Sequence, residues 1–252
     1  MLTVGERWMG RAIGSGLVTP REAARIRTAR ASLSFHHEPA RAREEVAAVL
    51  PVLTTACDHP WLVTGHVIVA LERSAGGHHA AAVEAARAAV AAAEQTTRER
   101  QADALGVLAV CAVTTEPGTA LAAVDRAWSL ARASGSAASA ASVATNLSLA
   151  LMQLGRVAEA RAMLEEAAAE LGRGQVPLFV VLNLAWAALL QDDPARALAG
   201  FALVLRTGSD GPADRRSAEV YAGAGVALHR LGVDAGPVLA GATEIGRGSA
   251  WS

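Results

Sequence analysis

The chain has 252 residues, of which 52% are hydrophobic and only 4% aromatic, and every one of its 23 basic residues is arginine. That is ample material for a continuous core of small and aliphatic side chains, which favours closely packed helices and excludes a disordered chain. A formal net charge of −1 withholds the broad attraction that a free-standing binder of nucleic acid or anionic membrane needs, so no direct nucleic-acid contact is expected.

In chain order, the pattern predicts a short helix near 4–13 and then helix pairs at 20–35 with 39–50, 60–74 with 78–95, and 98–113 with 117–133. Three more pairs follow at 136–154 with 157–171, 177–190 with 194–206, and 212–231 with 235–246. Pro20, Pro39, Pro60, Pro117, Pro194 and Pro212 all fall where a helix should start, because a first-turn N–H has no intrahelical partner to lose. Thr19-Pro20-Arg21-Glu22 has the spacing of a capping box. Pro51 is expected to end or kink its helix, and Gly76-Gly77, Gly155, Gly172 to Gly174, Gly208 to Gly211 and Gly232 supply helix ends. No segment alternates with period two long enough to require a strand.

The start of the chain carries Glu6 and Arg7 before any long apolar run, and the longest such run, Val176 to Leu190, is interrupted by Asn183. Neither a signal peptide nor a membrane span is expected. Cys57 and Cys111 form no disulfide framework and read as reduced thiols, which points to a cytoplasmic protein.

Small residues recur at the opening of each second helix, at Ala42, Ala82, Ala120, Ala160 and Ala197, with Pro237 where a sixth would stand. Intervals of 40, 38, 40, 37 and 40 mark a solenoid, in which each helix pair buries its apolar face on its neighbours. The phrase beginning Asn146-Leu147-Ser148 and continuing through Leu151, Gly155, Val157, Glu159-Ala160, Leu164 and Ala167 is repeated by Asn183-Leu184-Ala185, Ala188, Asp192, Ala197 and Phe201. These residues resemble the tetratricopeptide repeat (TPR) pattern, with glycine at the turn and small residues where helices approach within roughly 8–10 Å.

The resemblance spans nearly the whole chain as one repeat domain over 1–252, with 136–206 matching best. Its departures are Gly172 in place of a closing proline, long units and Pro237 at a crossing. It implies an all-α, right-handed α-solenoid of about six antiparallel helix pairs with a short N-terminal helix. The long alanine-rich units are also similar to the repeat regions of large bacterial regulators of the LuxR and antibiotic-regulator types.

In TPR folds the first helix of each pair lines the concave face. The resemblance therefore implies that Ser142, Thr145, Asn146, Leu149, Met152 and Gln153 face a groove, beside Phe179, Leu182, Asn183, Trp186 and Leu190. Asn146, Leu149, Met152, Phe179, Asn183, Trp186 and Leu190 are the candidate partner-binding residues. Asn at this position in peptide-binding relatives bonds a ligand's main chain; the alternative is an Asn bonded inside the helix stack. A charged carboxylate clamp is not expected, because the neighbouring positions are Leu149, Trp186 and Val226, with His229 and Arg230 lower down. An apolar groove suits an amphipathic helix or hydrophobic peptide, with burial in a tighter superhelix or self-association into a homo-oligomer as the alternatives.

His36-His37-Glu38, His78-His79, Cys57-Asp58-His59 and His66 lack metal-ligand spacing and sit mostly at helix junctions. No metal and no cofactor are expected. There is no nucleophile elbow, phosphate-cradling loop or dinucleotide fingerprint, so no catalytic residue is assigned. Gly223-Ala224-Gly225 falls within a helix and reads as a close packing contact, and the SGSAASAAS tract over 134–142 as a turn and first helical turns. The expected function is a non-catalytic module that binds a protein or peptide in bacterial regulation. Two other classes stay open: an enzyme or small-molecule binder using the helical cavity, and the structural repeat region of a larger transcriptional regulator.

Overall fold

Prolines, caps and glycines punctuate the chain where the sequence places them. The computed structural model describes residues 4–35, 38–172, 176–207 and 215–248. Among these, all regular structure is helical. The helices are α1 (Val4–Gly14), α2 (Pro20–Ser34), α3 (Pro39–Thr55), α4 (His59–Ala75), α5 (His79–Ala93), α6 (Arg98–Ala112) and α7 (Pro117–Ala133). They continue with α8 (Ala137–Gln153), α9 (Val157–Leu171), α10 (Leu178–Leu190), α11 (Pro194–Thr207), α12 (Arg215–Arg230) and α13 (Gly236–Gly248). After α1 they form six pairs, α2 with α3 through α12 with α13. Pro212 and the glycines at 174 and 208–211 lie outside the described residues.

The capping box forms in full: the Glu22 backbone N–H donates to Thr19 Oγ1 at 3.3 Å, and the Thr19 backbone N–H donates to the Glu22 carboxylate at 2.8 Å. Pro51 does not end its helix, as α3 runs on to Thr55. The ring sits on the exposed side of α3, while Leu53 beyond it is fully buried against Ala24, Val49 and Leu62. That packing outweighs the backbone hydrogen bond lost at a proline inside a helix.

Several turns close with one residue in the left-handed region, which satisfies the last helical carbonyls. At the α8–α9 turn Gly155 has φ 77°, and the Arg156 N–H donates to Leu151 O at 2.8 Å. Asp192 takes the equivalent place between α10 and α11 at φ 61°, and Cys57 does so between α3 and α4 at φ 48°. Both carry the Cβ that glycine avoids there.

The chain divides into two units, Met1–Ser134 and Gly135–Ser252. In the first, α2 packs on α4 and α4 on α6, whereas α3, α5 and α7 make no mutual contact among the described residues. The second unit repeats this, with α10 packed on both α8 and α12, while among the described residues the backbones of α9, α11 and α13 do not pack on one another and α9 and α11 meet through the long side chains of Glu165 and Arg196. Within each unit the first helices thus form the inner row and the second helices splay outward. Ala42, Ala82, Ala120, Ala160 and Ala197 are all fully buried at the crossings, the positions at which any larger side chain would push two helices apart.

Glycines inside helices do the same work at closer range. A Cβ on Gly223 of α12 would lie 2.4 Å from the Phe201 ring of α11, and one on Gly225 would lie 2.4 Å from Leu239 of α13. Phe201 is the largest fully buried side chain of the described residues. Its ring meets Trp186 of α10 edge to face, with centroids 5.2 Å apart at 76°.

Candidate functional site: the first-helix face of the second unit

Neither α8 nor α10 contains a charged residue or a histidine along its whole length. The outer helices of the same unit carry the charge instead: Glu159, Arg161, Glu165, Glu166 and Glu170 on α9, and Arg196 and Arg206 on α11. Arg161 and Arg196 both reach Glu165, each at 2.9 Å, on an exposed surface. The uncharged strip is therefore confined to α8 and α10, since α12, the third inner helix, carries Glu219 and Arg230.

On α8 the exposed and buried positions alternate with the period of a helix. Ser142, Thr145, Asn146, Leu149, Met152 and Gln153 are the residues of its middle and end that escape burial, while Val143, Ala144, Leu147, Ala150 and Leu151 lie in the core. On α10 Phe179 is 37% exposed and Leu190 54%, and their spacing from Trp186 puts all three on one side of the helix. Trp186 is half-buried, one edge committed to Phe201.

Asn183 needs correction as a groove-facing amide. It is buried, and its Nδ2 donates to the Thr145 carbonyl and to Ser148 Oγ, both at 3.0 Å. Ser148 Oγ in turn donates to the same carbonyl at 2.8 Å. Both amide hydrogens thus tie α10 to α8, and the buried polar group is satisfied by doing so. Leu182, one residue earlier, is buried as well. Asn146 remains half-buried on the open side of α8, so the two asparagines of the repeat have parted in role. The partner that captures Asn183, Ser148, is legible only as a small polar residue on an otherwise apolar turn of α8.

Next along the inner row, α12 brings Val226, 37% exposed, and near its end Arg230, whose guanidinium donates to the Leu189 carbonyl at 2.7 Å and lies 3.3 Å from Asp192. Arg230 thereby caps the end of α10.

The first unit has a differently furnished inner row. Asp58, buried just before α4, accepts from Arg21 Nε at 2.8 Å and Arg25 Nε at 2.6 Å, both from α2. Burial alone would raise its pKa, but the hydrogen bonds from Arg25 and Arg21 outweigh that and hold the carboxyl below its ordinary value. Asp103 on α6 has the opposite fate: burial pushes it up to about 6, with Arg100 opposing and Glu99 assisting. Burial likewise lowers His66 on α4. Arg100 spends its guanidinium on the Pro60 carbonyl at 3.0 Å. Among the described residues no three His, Cys, Asp or Glu side chains converge on a metal position, and His36 and His37 lie outside them.

No family model and no curated protein matches the chain in sequence. Its likeness to solved structures is clear. BtubC from P. vanneervenii superposes with a TM-score of 0.56 at 16% identity, covering 98% of this chain and 92% of that one. A Podosopora anserina structure of nearly identical TPR-like repeats, assigned to the kinesin light chains, gives 0.53 at 17%, over 74% of this chain and 96% of that one. The fold is a TPR-like α-solenoid. Pseudomonas aeruginosa pilF fits it too, at 0.51 and 21% identity, over 77% of this chain and 79% of that one. The curvature of such stacked repeats creates an extended concave surface. No helix among the described residues is long and apolar enough to cross a membrane.

Proposed function

We propose that the chain is a non-catalytic docking module of a bacterial regulatory protein, and that it binds a protein or peptide on the α8–α10 face. One observation carries this reading: two adjacent inner helices free of any charge present Leu149, Met152, Phe179, Trp186 and Leu190, with Phe179 and Leu190 well exposed. A surface that serves only to stay in water carries charge, as α9 does. Asn146 supplies the strip with a polar group at mid-length.

The test is capture from an extract of the cells that make the protein, with the wild-type chain and the Phe179→Asp and Leu190→Asp variants as parallel baits. Both side chains are exposed, so the variants keep their fold. A partner retained by the wild type and lost from both variants supports the face. Partners retained equally by all three baits place docking elsewhere.

A further inference from the structure

Resting on the reading of α8–α10 as the docking face, we propose that its occupant is an amphipathic α-helix of a partner protein, applied by an apolar side that carries no charge, and not an extended peptide. The argument turns on where the face spends its hydrogen-bonding groups. An extended ligand brings an N–H and a C=O at every residue, and each one that leaves water must find a partner on the receptor. The backbones of α8 and α10 are already bonded within their helices, so side chains would have to provide those partners.

They are largely committed. Both Asn183 amide hydrogens go inward to Thr145 O and Ser148 Oγ. The Thr145 hydroxyl donates to Ala141 O at 2.9 Å, and Ser148 is buried beneath. On the open side of α10 the groove positions are Phe179, Trp186 and Leu190, whose one polar hydrogen is the Trp186 indole N–H. That leaves the Asn146 amide, the Trp186 N–H and a spare acceptor on Thr145 in the middle of the face, with Ser142 and Gln153 toward the two ends of α8. These few scattered groups cannot pair a strand-like backbone residue by residue.

A helical ligand satisfies its own main chain and asks of the receptor only apolar contact. Charge points the same way. With no Asp, Glu, Lys, Arg or His on either helix, a charged ligand side chain laid on this strip would lose water and gain no counter-ion, so the matching surface is a neutral one.

Two display libraries panned on the full chain test this: one on a three-helix scaffold with a single randomised helix face, the other of linear peptides with proline at every third position, which cannot become helical. Binders are counter-selected on the Leu190→Asp variant and ranked by fluorescence anisotropy. The expected result is Leu190-dependent binders from the helical library, weakened at least tenfold by Phe179→Asp and changed less than threefold by Asn146→Ala. Proline-library binders of equal affinity that depend on Leu190 and lose tenfold with Asn146→Ala would overturn the helical occupant and leave the docking face standing. No Leu190-dependent binder from either library would overturn both. Light scattering that shows wild-type dimers, abolished by Leu190→Asp, would identify a second copy of the chain as the occupant and overturn the partner.

Discussion

The inner rows of the two units solve one problem with different chemistry. Between α2 and α4 the link is ionic, two arginines closing on the buried carboxylate of Asp58. Between α8 and α10 it is neutral, the Asn183 amide bridging Thr145 and Ser148. A repeat fold fixes the spacing of neighbouring helices and leaves open what fastens them. The ionic fastening makes the first unit sensitive to pH, and the neutral one leaves α8 and α10 with nothing to titrate.

The comparison breaks most sharply at Asp58. Replacing both Arg21 and Arg25 by methionine strands a buried carboxylate, and the cost is expected to be on the order of 3 kcal/mol or more. Denaturant unfolding at pH 7 should show it. The deficit should shrink as pH falls, starting above the ordinary carboxylate range, because burial without the arginines raises the Asp58 pKa and the carboxyl takes up its proton early. In the wild type the sign is the reverse: because the folded state holds Asp58 below its ordinary value, its contribution is present near neutrality and is lost on acidification.

Asp103 sharpens the contrast inside the first unit. Its folded pKa of about 6 stands above the unfolded value of 3.8, so its contribution is intact below that value and declines as pH rises through about 6. Asp103→Asn should therefore raise stability at pH 7 by on the order of 1–2 kcal/mol, after discounting for its partial exposure, and leave it nearly unchanged at pH 4. Equal gains at both pH values would exclude titration as the cause.

In the second unit Asn183→Ala should cost about 1–2 kcal/mol in the absence of any ligand, because Thr145 O and Ser148 Oγ lose their buried donor. That loss should be the same at pH 5 and pH 8. The smallest expected effect is a gain: Asp192→Gly relieves a left-handed φ of 61° and should add about 0.5 kcal/mol, offset in part by weaker contact with Arg230. Thermal unfolding of the pair of variants measures both.

Most helix starts were legible in the sequence because proline and the Thr19 capping box act locally, within a single turn. The alanine crossings were legible because a repeat states them five times over. Pro51 does not end its helix, for the complementary reason: Leu53 beyond it is buried against Ala24 and Leu62 elsewhere in the chain, which a local rule cannot see. Periodicity placed Asn183 at the right angle on α10 and could not say that α8 lies close enough to cover it. The sequence clue was Ser148, which supplies an acceptor at the matching height. Trp186 followed the same logic, since Gly223 makes room for Phe201 and Phe201 then takes one edge of the indole.

The turn between α3 and α4 has a practical use. Cys57 stands exposed there, while Cys111 is buried with its thiol pushed up to about 11 by burial. A maleimide dye at neutral pH should accordingly attach at a single place on the unmodified chain, next to Asp58 and in the unit that lacks the proposed docking face. The protein carries its own reporter position, one that would register the loosening of the arginine–aspartate fastening while leaving the α8–α10 strip unlabelled.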